Sequence, residues 1–474
     1  MEGSDKMLIR GKWISGKEQI DVLNKYSGEV ISTVPVASRD DVASAIEAAQ
    51  DGFSDISRMP AHRRSAILEE TSALIADNAV DIARTIAMEA GKAWKYSLGE
   101  VKRAVETFKF AAEEAKHIHG ETVPMDASAN SENRIGFYMR FPVGVIGAIS
   151  PFNFPLNLVA HKIAPAIAGG NSTVLKPATA TPLTALKIGQ LLMEAGLPDG
   201  ALNIIIGGGS TVGDWLVTDP RVAMITFTGS PPVGRHIMSR GGLKKYTMEL
   251  GSNSSVIIHE DADIDAAIPR CVIGSYANSG QVCISVQSIY VHKQRLEEFT
   301  EKFISASEQQ VLGDPLDEKC DVGPMIDLNE AKRVEKWVEV AVSDGAGILT
   351  GGKRDGVMFP PTVLTNVTQD MKVVRDEIFG PVVSIIPYTD LHEVIKLIDG
   401  SRYGLQAGIY TRDITSAFQA VRGINVGGVI VNDVPTFRVD HMPYGGNKES
   451  GLGREGLKFA IEEMTNIKMV CFNL

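Results

Sequence analysis

Short runs rich in Val and Ile alternate with longer segments of helical periodicity through the middle of the chain. Strand, helix and strand in succession are typical of a parallel sheet that helices cover on both faces. Such sheets bind ligands at the carboxyl ends of their strands, and the polar and glycine-rich segments of this chain fall there. The predicted strands are 143–149, Ser172–Lys176, 202–206 and 223–227, and the predicted helices are 156–168, 183–195 and 211–217.

The segments on either side extend this pattern. Two short strands, 7–14 and 28–34, precede a mostly helical layer that occupies the rest of the first 120 residues. Ser38 and Asp41 form a capping box, which predicts a helix through Phe53. Further helices are predicted at 61–91 and 97–117, and a second alternating unit begins near 254, with helices at 263–278, 294–309 and 328–345 and strands at 286–292, 383–388 and 426–431.

Two strand-like segments stand apart from both units, at 132–142 and 466–472. An unpaired edge strand invites pairing with another chain unless something covers it. We therefore expect these two segments to pair with each other or across a subunit interface. The whole pattern predicts an α/β protein.

Composition narrows the class of protein. A chain of 474 residues is long enough for two or three structural units, and its formal net charge of −11 gives no electrostatic reason to bind nucleic acid or an anionic membrane. The chain shows no apolar run of about 20 residues and no signal-like amino terminus, so we expect a cytoplasmic protein. None of the four cysteines lies in a C-x-x-C pair, so neither a zinc cage nor disulfides are expected.

One cysteine has a setting that suits catalysis. Cys283 follows Gly280-Gln281-Val282, a glycine-containing turn after a predicted helix. Partial exposure near backbone N–H groups lowers a thiol pKa and makes a thiolate nucleophile. The alternative is that Cys283 is a small buried apolar residue, like a typical free cysteine.

Two polar residues complete a possible reaction centre. Glu249 precedes Leu250-Gly251 at a predicted strand end and is a candidate general base, although a solvated surface carboxylate is the alternative. Asn153 lies in the rigid turn Pro151-Phe152-Asn153-Phe154-Pro155, where its amide is a candidate donor to an oxyanion. The alternative for Asn153 is an ordinary turn asparagine.

Together these segments, in this order, resemble the aldehyde dehydrogenase superfamily, and the resemblance covers essentially the whole chain. Within it, the chain is most similar to lactaldehyde dehydrogenase-like and non-phosphorylating glyceraldehyde-3-phosphate dehydrogenase-like members. One departure is Ser252-Asn253, where the family motif after the glutamate is commonly Gly-Lys. The other matching segments are Leu175-Lys176-Pro177, Phe227-Thr228-Gly229-Ser230, Glu377-Ile378-Phe379-Gly380-Pro381 and Pro443-Tyr444-Gly445-Gly446.

The resemblance implies a fold with three parts. A Rossmann-like dinucleotide-binding domain would comprise 1–120 and 143–253, and an α/β catalytic domain would comprise 254–453. A small β element from 121–142 and 454–474 would make the subunit contact, and a homodimer or homotetramer is expected.

The resemblance also implies roles in catalysis. Cys283 would attack the aldehyde carbon, the Asn153 side chain and the Cys283 N–H would hold the oxyanion, and hydride would pass to the nicotinamide. Glu249 would then activate water to hydrolyse the thioester. Lys176 would reach the adenosine ribose, Ser230 and the helix beginning near Val233 would hold the pyrophosphate, and Glu377 and Phe379 would hold the nicotinamide ribose and flank the ring. The remaining expected cofactor residues are Ile149, Ser150, Pro151, Phe152, Gly209, Gly213 and Leu250.

The choice between cofactors depends on Thr179. Many NAD-preferring relatives carry glutamate at this position, and its carboxylate repels a 2′-phosphate. A threonine removes that repulsion while Lys176 supplies positive charge, so we expect NADP to be accepted, and NAD remains open.

Two arginines suggest the class of aldehyde. Arg103 and Arg438 resemble arginines that line the substrate pocket of relatives acting on glyceraldehyde 3-phosphate. Those relatives also carry arginine immediately before the nucleophile, where this chain has Val282. We expect a short hydroxylated or anionic aldehyde, such as lactaldehyde, a sulfonated or phosphonated aldehyde, glyceraldehyde 3-phosphate or succinate semialdehyde. The alternative is that both arginines are structural salt-bridge partners.

Three other functions remain as alternatives. A CoA-acylating enzyme of the same fold would need no water-activating base, so Glu249 argues against it. A non-catalytic protein with the same fold would not require Cys283, Glu249 and Asn153 together. A metalloenzyme is disfavoured because the nine histidines form no H-E-x-x-H or comparable ligand set.

Overall fold

The computed structural model describes residues 5–474, which contain twenty strands and fifteen α-helices. The strands are β1 (Met7–Ile9), β2 (Lys12–Ile14), β3 (Glu18–Leu23), β4 (Val30–Val36), β5 (Thr122–Val123), β6 (Arg134–Pro142), β7 (Val145–Ile149), β8 (Ser172–Lys176), β9 (Leu202–Ile204), β10 (Val222–Thr228), β11 (Lys245–Glu249), β12 (Ser255–Ile258), β13 (Ser288–His292), β14 (Gly347–Thr350), β15 (Thr362–Thr365), β16 (Val382–Tyr388), β17 (Gln406–Tyr410), β18 (Gly428–Val431), β19 (Gly451–Leu452) and β20 (Thr465–Asn473).

The α-helices fill the intervals between these strands. They are α1 (Arg39–Ile56), α2 (Ala61–Asp77), α3 (Ala79–Ala90), α4 (Trp94–Ala115), α5 (Asn157–Ala168), α6 (Leu183–Glu194), α7 (Asp214–Thr218), α8 (Pro231–Gly241), α9 (Ile264–Tyr276), α10 (Leu296–Glu308), α11 (Leu328–Ser343), α12 (Lys372–Arg375), α13 (Leu391–Asp399), α14 (Ile414–Gly423) and α15 (Leu457–Glu463). No helix in the described range is both long enough and apolar enough to span a bilayer.

Two large sheets organise the chain, and each is mostly parallel. The first has eight strands in the order β19-β11-β10-β7-β8-β9-β1-β2, and the second has seven in the order β14-β15-β16-β13-β12-β17-β18. Helix α5 is buried along its whole length in the core of the first sheet. The predicted α/β class is confirmed, because strands β7 to β11 pair in parallel and helices cover them.

The parallel register aligns the ends of four neighbouring strands of the first sheet. Glu249 at the end of β11 lies opposite Thr228 of β10, and the preceding Phe227 lies opposite Ile149 of β7. Ile149 lies in turn opposite Lys176, the last residue of β8. Side chains that are far apart in the sequence therefore meet at one edge of the sheet.

A third sheet consists of β20, β6 and β5 in that order. Strands β6 and β20 pair antiparallel over their full length, from Thr465 opposite Pro142 to Asn473 opposite Arg134. The two outlying segments thus pair with each other within one chain, which was one of the two expected arrangements. The division into three domains stays a prediction, and β19, from the segment assigned to the catalytic domain, pairs with β11 of the first sheet.

Two local predictions were wrong. The helix expected over 61–91 is two helices, because Asn78 leaves the helical conformation at φ −99° and ψ 14° and its side chain donates to the Leu74 carbonyl. The segment 7–14, expected as one strand, is the hairpin of β1 and β2, and an unpredicted strand, β3, pairs with β4 in a separate sheet. Strand β3 is mostly exposed, so it carries little of the alternation between buried and exposed residues from which strands are predicted.

Candidate active site

The nucleophile candidate lies just after a tight turn that follows α9. Asn278, Ser279 and Gly280 all have positive φ, and a side chain at Gly280 would overlap the Gly380 carbonyl. Only glycine fits there without strain. This turn leaves Cys283 partly exposed, whereas Cys271 and Cys320 are buried. The geometry thus distinguishes Cys283 from the two cysteines that serve as core residues.

Asn153 lies beside the cysteine loop. Its side chain is buried, and Nδ2 donates to the Gln281 carbonyl at 2.9 Å. In the other direction, Asn278 Nδ2 donates to the Asn153 carbonyl at 3.3 Å. These two contacts join the turn after β7 to the loop that carries Cys283. One hydrogen of the Asn153 amide remains available to an oxyanion formed at that loop.

Glu249 is a buried carboxylate without a hydrogen-bond partner among residues 5–474, at either oxygen. Gly445 makes room for it, since a side chain there would come within 2.8 Å of Glu249 Oε1. Burial and the neighbouring Glu455 carboxylate raise the pKa of Glu249 well above its ordinary value, against the opposing charges of Arg438 and Lys162. A carboxylate with a raised pKa and free lone pairs suits proton abstraction from water.

Tyr444 touches the candidate nucleophile directly. Its hydroxyl lies 3.2 Å from Cys283 Sγ, and the Arg438 guanidinium lies 3.7 Å from the centre of its ring. Cys283 is partly exposed, but desolvation around its sulfur raises the thiol pKa to about 12, so the lowered pKa expected from the sequence is wrong for the protein alone. The sequence analysis noted Tyr444 within a matching segment but did not predict this contact.

The strand ends beside the catalytic residues offer polar groups to a cofactor. At the end of β7, Ile149 is buried and the Ser150 hydroxyl is buried with no partner in the described chain. On β8, burial lowers the pKa of Lys176 to about 8, and its ammonium donates to the Pro177 carbonyl at 3.0 Å. An unpartnered hydroxyl and a cation at the sheet edge fit a dinucleotide that supplies hydroxyl and phosphate groups.

The helix after β10 offers a site for an anion. Ser230 is the N-cap of α8 with Pro231 in the first turn, and its side chain makes no capping bond. The free N–H groups of a helix amino terminus favour a phosphate. Val233 is exposed in the first turn of this helix, and Leu250 packs against Gly234, where a side chain would come within 2.8 Å of Leu250 Cδ2.

Thr179 and the glycine-rich turn lie near Lys176. The Thr179 hydroxyl donates to the Gly207 carbonyl at 2.8 Å, so in this conformation its hydrogen is not directed at a phosphate. Gly209 and Gly213 bound a π-helical turn, and a side chain at Gly213 would lie 3.7 Å from Lys176 Cε. Acceptance of NADP therefore depends on position 179 carrying no carboxylate, which would repel the 2′-phosphate, and on the positive charge of Lys176.

Glu377 and Phe379 lie on the opposite side, in the loop before β16. Glu377 accepts from the Ser252 N–H at 3.1 Å, and burial raises its pKa to about 7. Phe379 has a φ of 47° and packs edge-on against Phe152, with ring centres 5.9 Å apart. Pro151, Phe152 and Phe379 thus come together, although 226 residues fall between the last two.

The two arginines lie on either side of Asp440, and each has a carboxylate partner. Arg103 Nη2 lies 2.6 Å from Asp440 Oδ1, and Arg438 Nη2 lies 3.0 Å from Glu455 Oε2. Arg438 is almost completely buried, and its Nε has no partner in the described chain, whereas a third of the Arg103 side chain is exposed. Each arginine is thus paired in a salt bridge, and Arg438 still has an N–H group free to donate a hydrogen bond.

A cavity of about 210 Å³ connects Arg103 to the nucleophile loop. Val282, the residue before Cys283, and Phe154, the residue after Asn153, both line it. Lys92 lies over the Phe154 ring but is paired with Glu100. The cavity therefore has room for a short molecule, and Arg103 is the arginine that lines it.

Comparisons with known proteins agree with this geometry. The model of the aldehyde dehydrogenase family matches residues 13–470. The chain belongs to the aldehyde dehydrogenase family. It is accordingly an NAD(P)-dependent oxidoreductase that acts on an aldehyde group.

Relatives of this aldehyde dehydrogenase match over almost the full length. The 3-sulfolactaldehyde dehydrogenase of Priestia aryabhattai is 49% identical over 99% of this chain and 98% of its own. Aldehyde dehydrogenase 21 from Physcomitrella patens, solved with the reaction product succinate, has a TM-score of 0.97 and 42% identity, covering 99% and 98% of the two chains. The glyceraldehyde-3-phosphate dehydrogenase GapN from Methanocaldococcus jannaschii, solved with NADP, has a TM-score of 0.93 and 41% identity, covering 96% and 99%.

The structure of this aldehyde dehydrogenase brings most predicted site residues to one region. Cys283 and Asn153 approach it from two loops and Glu249 from the end of β11, and the cofactor candidates follow the sheet edge away from them. Two residues that the prediction missed, Tyr444 and Asp440, link the nucleophile and the arginines. In residues 5–474 no group of His, Cys, Asp or Glu side chains is arranged to hold a metal ion.

Proposed function

We propose that this enzyme oxidises a short aldehyde with an anionic or hydroxylated far end to its carboxylic acid. The observation that supports this substrate class is Arg103 in the wall of the cavity beside the nucleophile loop, with Arg438 stacked on Tyr444 next to Cys283. A guanidinium binds carboxylate, sulfonate or phosphate through two parallel N–H groups, whereas a neutral chain gains nothing from it. The relatives named for 3-sulfolactaldehyde and for glyceraldehyde 3-phosphate, and the one solved with succinate, support the same class.

The chemistry requires three side chains of this protein. The Cys283 thiol first loses its proton to solvent. The thiolate Sγ then forms a bond to the aldehyde carbon, and the resulting oxyanion accepts hydrogen bonds from Asn153 Nδ2 and the Cys283 N–H. A bound nicotinamide would supply the hydride acceptor, and loss of hydride from the carbon would leave an acyl group on Cys283 Sγ. Glu249 then removes a proton from water, the water oxygen bonds to the acyl carbon, and the carbon–sulfur bond breaks to release the acid.

We further propose that NADP is accepted alongside NAD. Thr179 presents no carboxylate to repel a 2′-phosphate, and Lys176 supplies a cation within the same edge of the sheet. The M. jannaschii relative was solved with NADP, which supports this choice.

A matched pair of substrates tests the proposal. Succinate semialdehyde and butanal have the same number of carbons, and only the first carries a carboxylate. We expect kcat/KM at least about tenfold higher for succinate semialdehyde in the wild type. Arg103→Met should remove most of that preference while leaving butanal oxidation intact, and Lys102→Met, an exposed cation on the same helix, should not.

The control and the opposing outcomes follow from the same assay. Cys283→Ala should abolish NAD(P)H formation with every aldehyde. Equal kcat/KM for the two aldehydes in the wild type would contradict the anionic substrate class and leave the aldehyde dehydrogenase activity in place. A rate that depends on added CoA, with an acyl-CoA product, would instead favour the CoA-acylating alternative.

We also propose that the enzyme is a homo-oligomer that works in the cytoplasm. Strand β20 leaves its outer edge without a partner within residues 5–474, and exposed apolar residues cover the β6–β20 sheet. The register places Ile467 and Met469 on one face and the other exposed apolar residues on the opposite face, so a second copy against either face would bury part of this apolar surface. A cytoplasmic location is supported by the cysteines, which are all free in the structure. The exposed apolar residues of the sheet are Ile135, Met139, Phe141, Ile467, Met469 and Phe472.

A further inference from the structure

The position of Tyr444 beside the nucleophile is firmly fixed by the backbone. Tyr444 and Glu455 exchange two backbone hydrogen bonds, at 3.1 and 2.6 Å, which form an isolated antiparallel bridge. The Arg438 guanidinium stacks on the ring at 3.7 Å, and the residue is buried. The hydroxyl is thereby held 3.2 Å from Cys283 Sγ with little freedom to turn away.

The surroundings of Cys283 otherwise oppose a negative charge on sulfur. Burial is the main cause, and the carboxylates of Glu377 and Glu249 add to it. The Tyr444 hydroxyl, through a hydrogen bond, and Arg438, through its charge, favour the thiolate. The hydroxyl itself keeps its proton, since burial raises the pKa of Tyr444 well above its ordinary value.

We propose that Tyr444 is a catalytic residue whose hydroxyl donates a hydrogen bond to Cys283 Sγ and stabilises the thiolate that attacks the aldehyde. Arg438 strengthens the donor, because a cation on the face of the ring withdraws electron density from the phenol. The hydrogen bond is strongest to the thiolate and weakens once sulfur bonds to carbon, so Tyr444 acts before the attack. This inference rests on the proposed function, in which Cys283 is the nucleophile.

Alkylation of Cys283 by iodoacetamide, without cofactor or aldehyde, measures the thiolate directly. Only the thiolate reacts, so at a pH below the thiol pKa the rate is proportional to the thiolate fraction. Tyr444→Phe removes the donor and keeps the ring. We expect it to raise the thiol pKa by about one pH unit or more and to slow alkylation at pH 8 by about tenfold or more. Peptide mass spectrometry assigns the modified cysteine, since four are present.

Tyr410→Phe is the matched control. Tyr410 is buried in β17, and its hydroxyl has no hydrogen-bond partner in the described chain, so this variant removes a buried hydroxyl without removing a donor to sulfur. It should alkylate at the wild-type rate. A wild-type protein that incorporates 3-fluorotyrosine, a stronger donor of the same shape, should alkylate faster, and this measurement does not depend on whether Tyr444→Phe folds.

The possible results distinguish a failure of the proposed role of Tyr444 from a failure of the proposed role of Cys283. An unchanged alkylation rate in Tyr444→Phe, or no acceleration with 3-fluorotyrosine, would overturn the role of Tyr444 even if Cys283→Ala is inactive. An active Cys283→Ala variant would instead overturn the proposed nucleophile. A Tyr444→Phe variant that alkylates about tenfold more slowly, with the thermal stability of Tyr410→Phe, would support the inference.

Discussion

Arg103 and Asp440 are joined through both carboxylate oxygens, at 2.6 Å from Nη2 to Oδ1 and 3.3 Å from Nε to Oδ2, although 337 positions separate them in the sequence. His161 Nε2 contacts the same Oδ1 at 2.8 Å. Burial opposes ionisation of this carboxyl, but the His161 hydrogen bond and the Arg103 charge hold the pKa of Asp440 well below its usual range. Asp440 therefore stays charged beside the arginines throughout the physiological pH range.

This pairing predicts which anions the enzyme prefers. Asp440 offsets the charge of Arg103 and Glu455 offsets that of Arg438, so the two guanidinium groups and their carboxylate partners carry no net charge. Without a net positive charge, these groups bind a singly charged carboxylate or sulfonate better than a doubly charged phosphate. We expect Asp440→Asn to raise kcat/KM for glyceraldehyde 3-phosphate relative to succinate semialdehyde by about fivefold. Steady-state kinetics on both substrates measures this ratio, and an unchanged ratio would count against charge matching.

Removing the general base should separate the two chemical steps. Glu249→Gln keeps the shape of the side chain but cannot accept the proton of water. We expect a rapid burst of NAD(P)H, about one per active site, followed by turnover that is slower by a factor of about 10² to 10⁴. Stopped-flow absorbance detects both phases. Loss of the burst along with turnover would mean that Glu249 acts before hydride transfer, contrary to the proposed role.

The affinity for NADP should fall at high pH. Burial lowers the pKa of Lys176 to about 8, so the side chain is charged below that pH and increasingly neutral above it. Only the charged form attracts the 2′-phosphate, whereas NAD has no such group. We expect kcat/KM for NADP, divided by that for NAD, to decline between pH 7 and 9. Lys176→Gln should show a lower ratio that does not change over this range, and a parallel decline in that variant would assign the effect to another group.

A charge on strand β20 should disrupt the oligomer. Ile467 is exposed in the sheet formed with β6, and a buried carboxylate at this position would not be tolerated in a subunit contact. We expect Ile467→Glu to lower the mass measured by light scattering to that of one chain. Ile414→Glu changes an equally apolar exposed residue at the start of α14 and should leave the mass unchanged. If both variants keep the wild-type mass, the subunit contact lies elsewhere.

Much of the site could be predicted from sequence because its residues lie at the ends of parallel strands. Glu249 ends β11, Lys176 ends β8, and Ser150 follows β7, so the alternation of strands and helices already implies that they share one edge. The pairing of β6 with β20 was also expected, since each is a long strand that needs a partner. The two wrong predictions, at Asn78 and at β3, occur where a single turn residue or an exposed strand leaves little periodic pattern of apolar residues.

The sequence by itself determined the α/β class, the family resemblance and the three residues to which we assign the chemistry, because these depend on local periodicity and on short motifs. Only the tertiary structure decided that Tyr444 touches Cys283 and that Asp440 is shared by Arg103 and His161. These contacts join residues that are 161 to 337 positions apart. Contacts of this kind arise where the segment between β18 and β19 packs against helices α4 and α5 and the Cys283 loop, and no pattern of neighbouring residues encodes them.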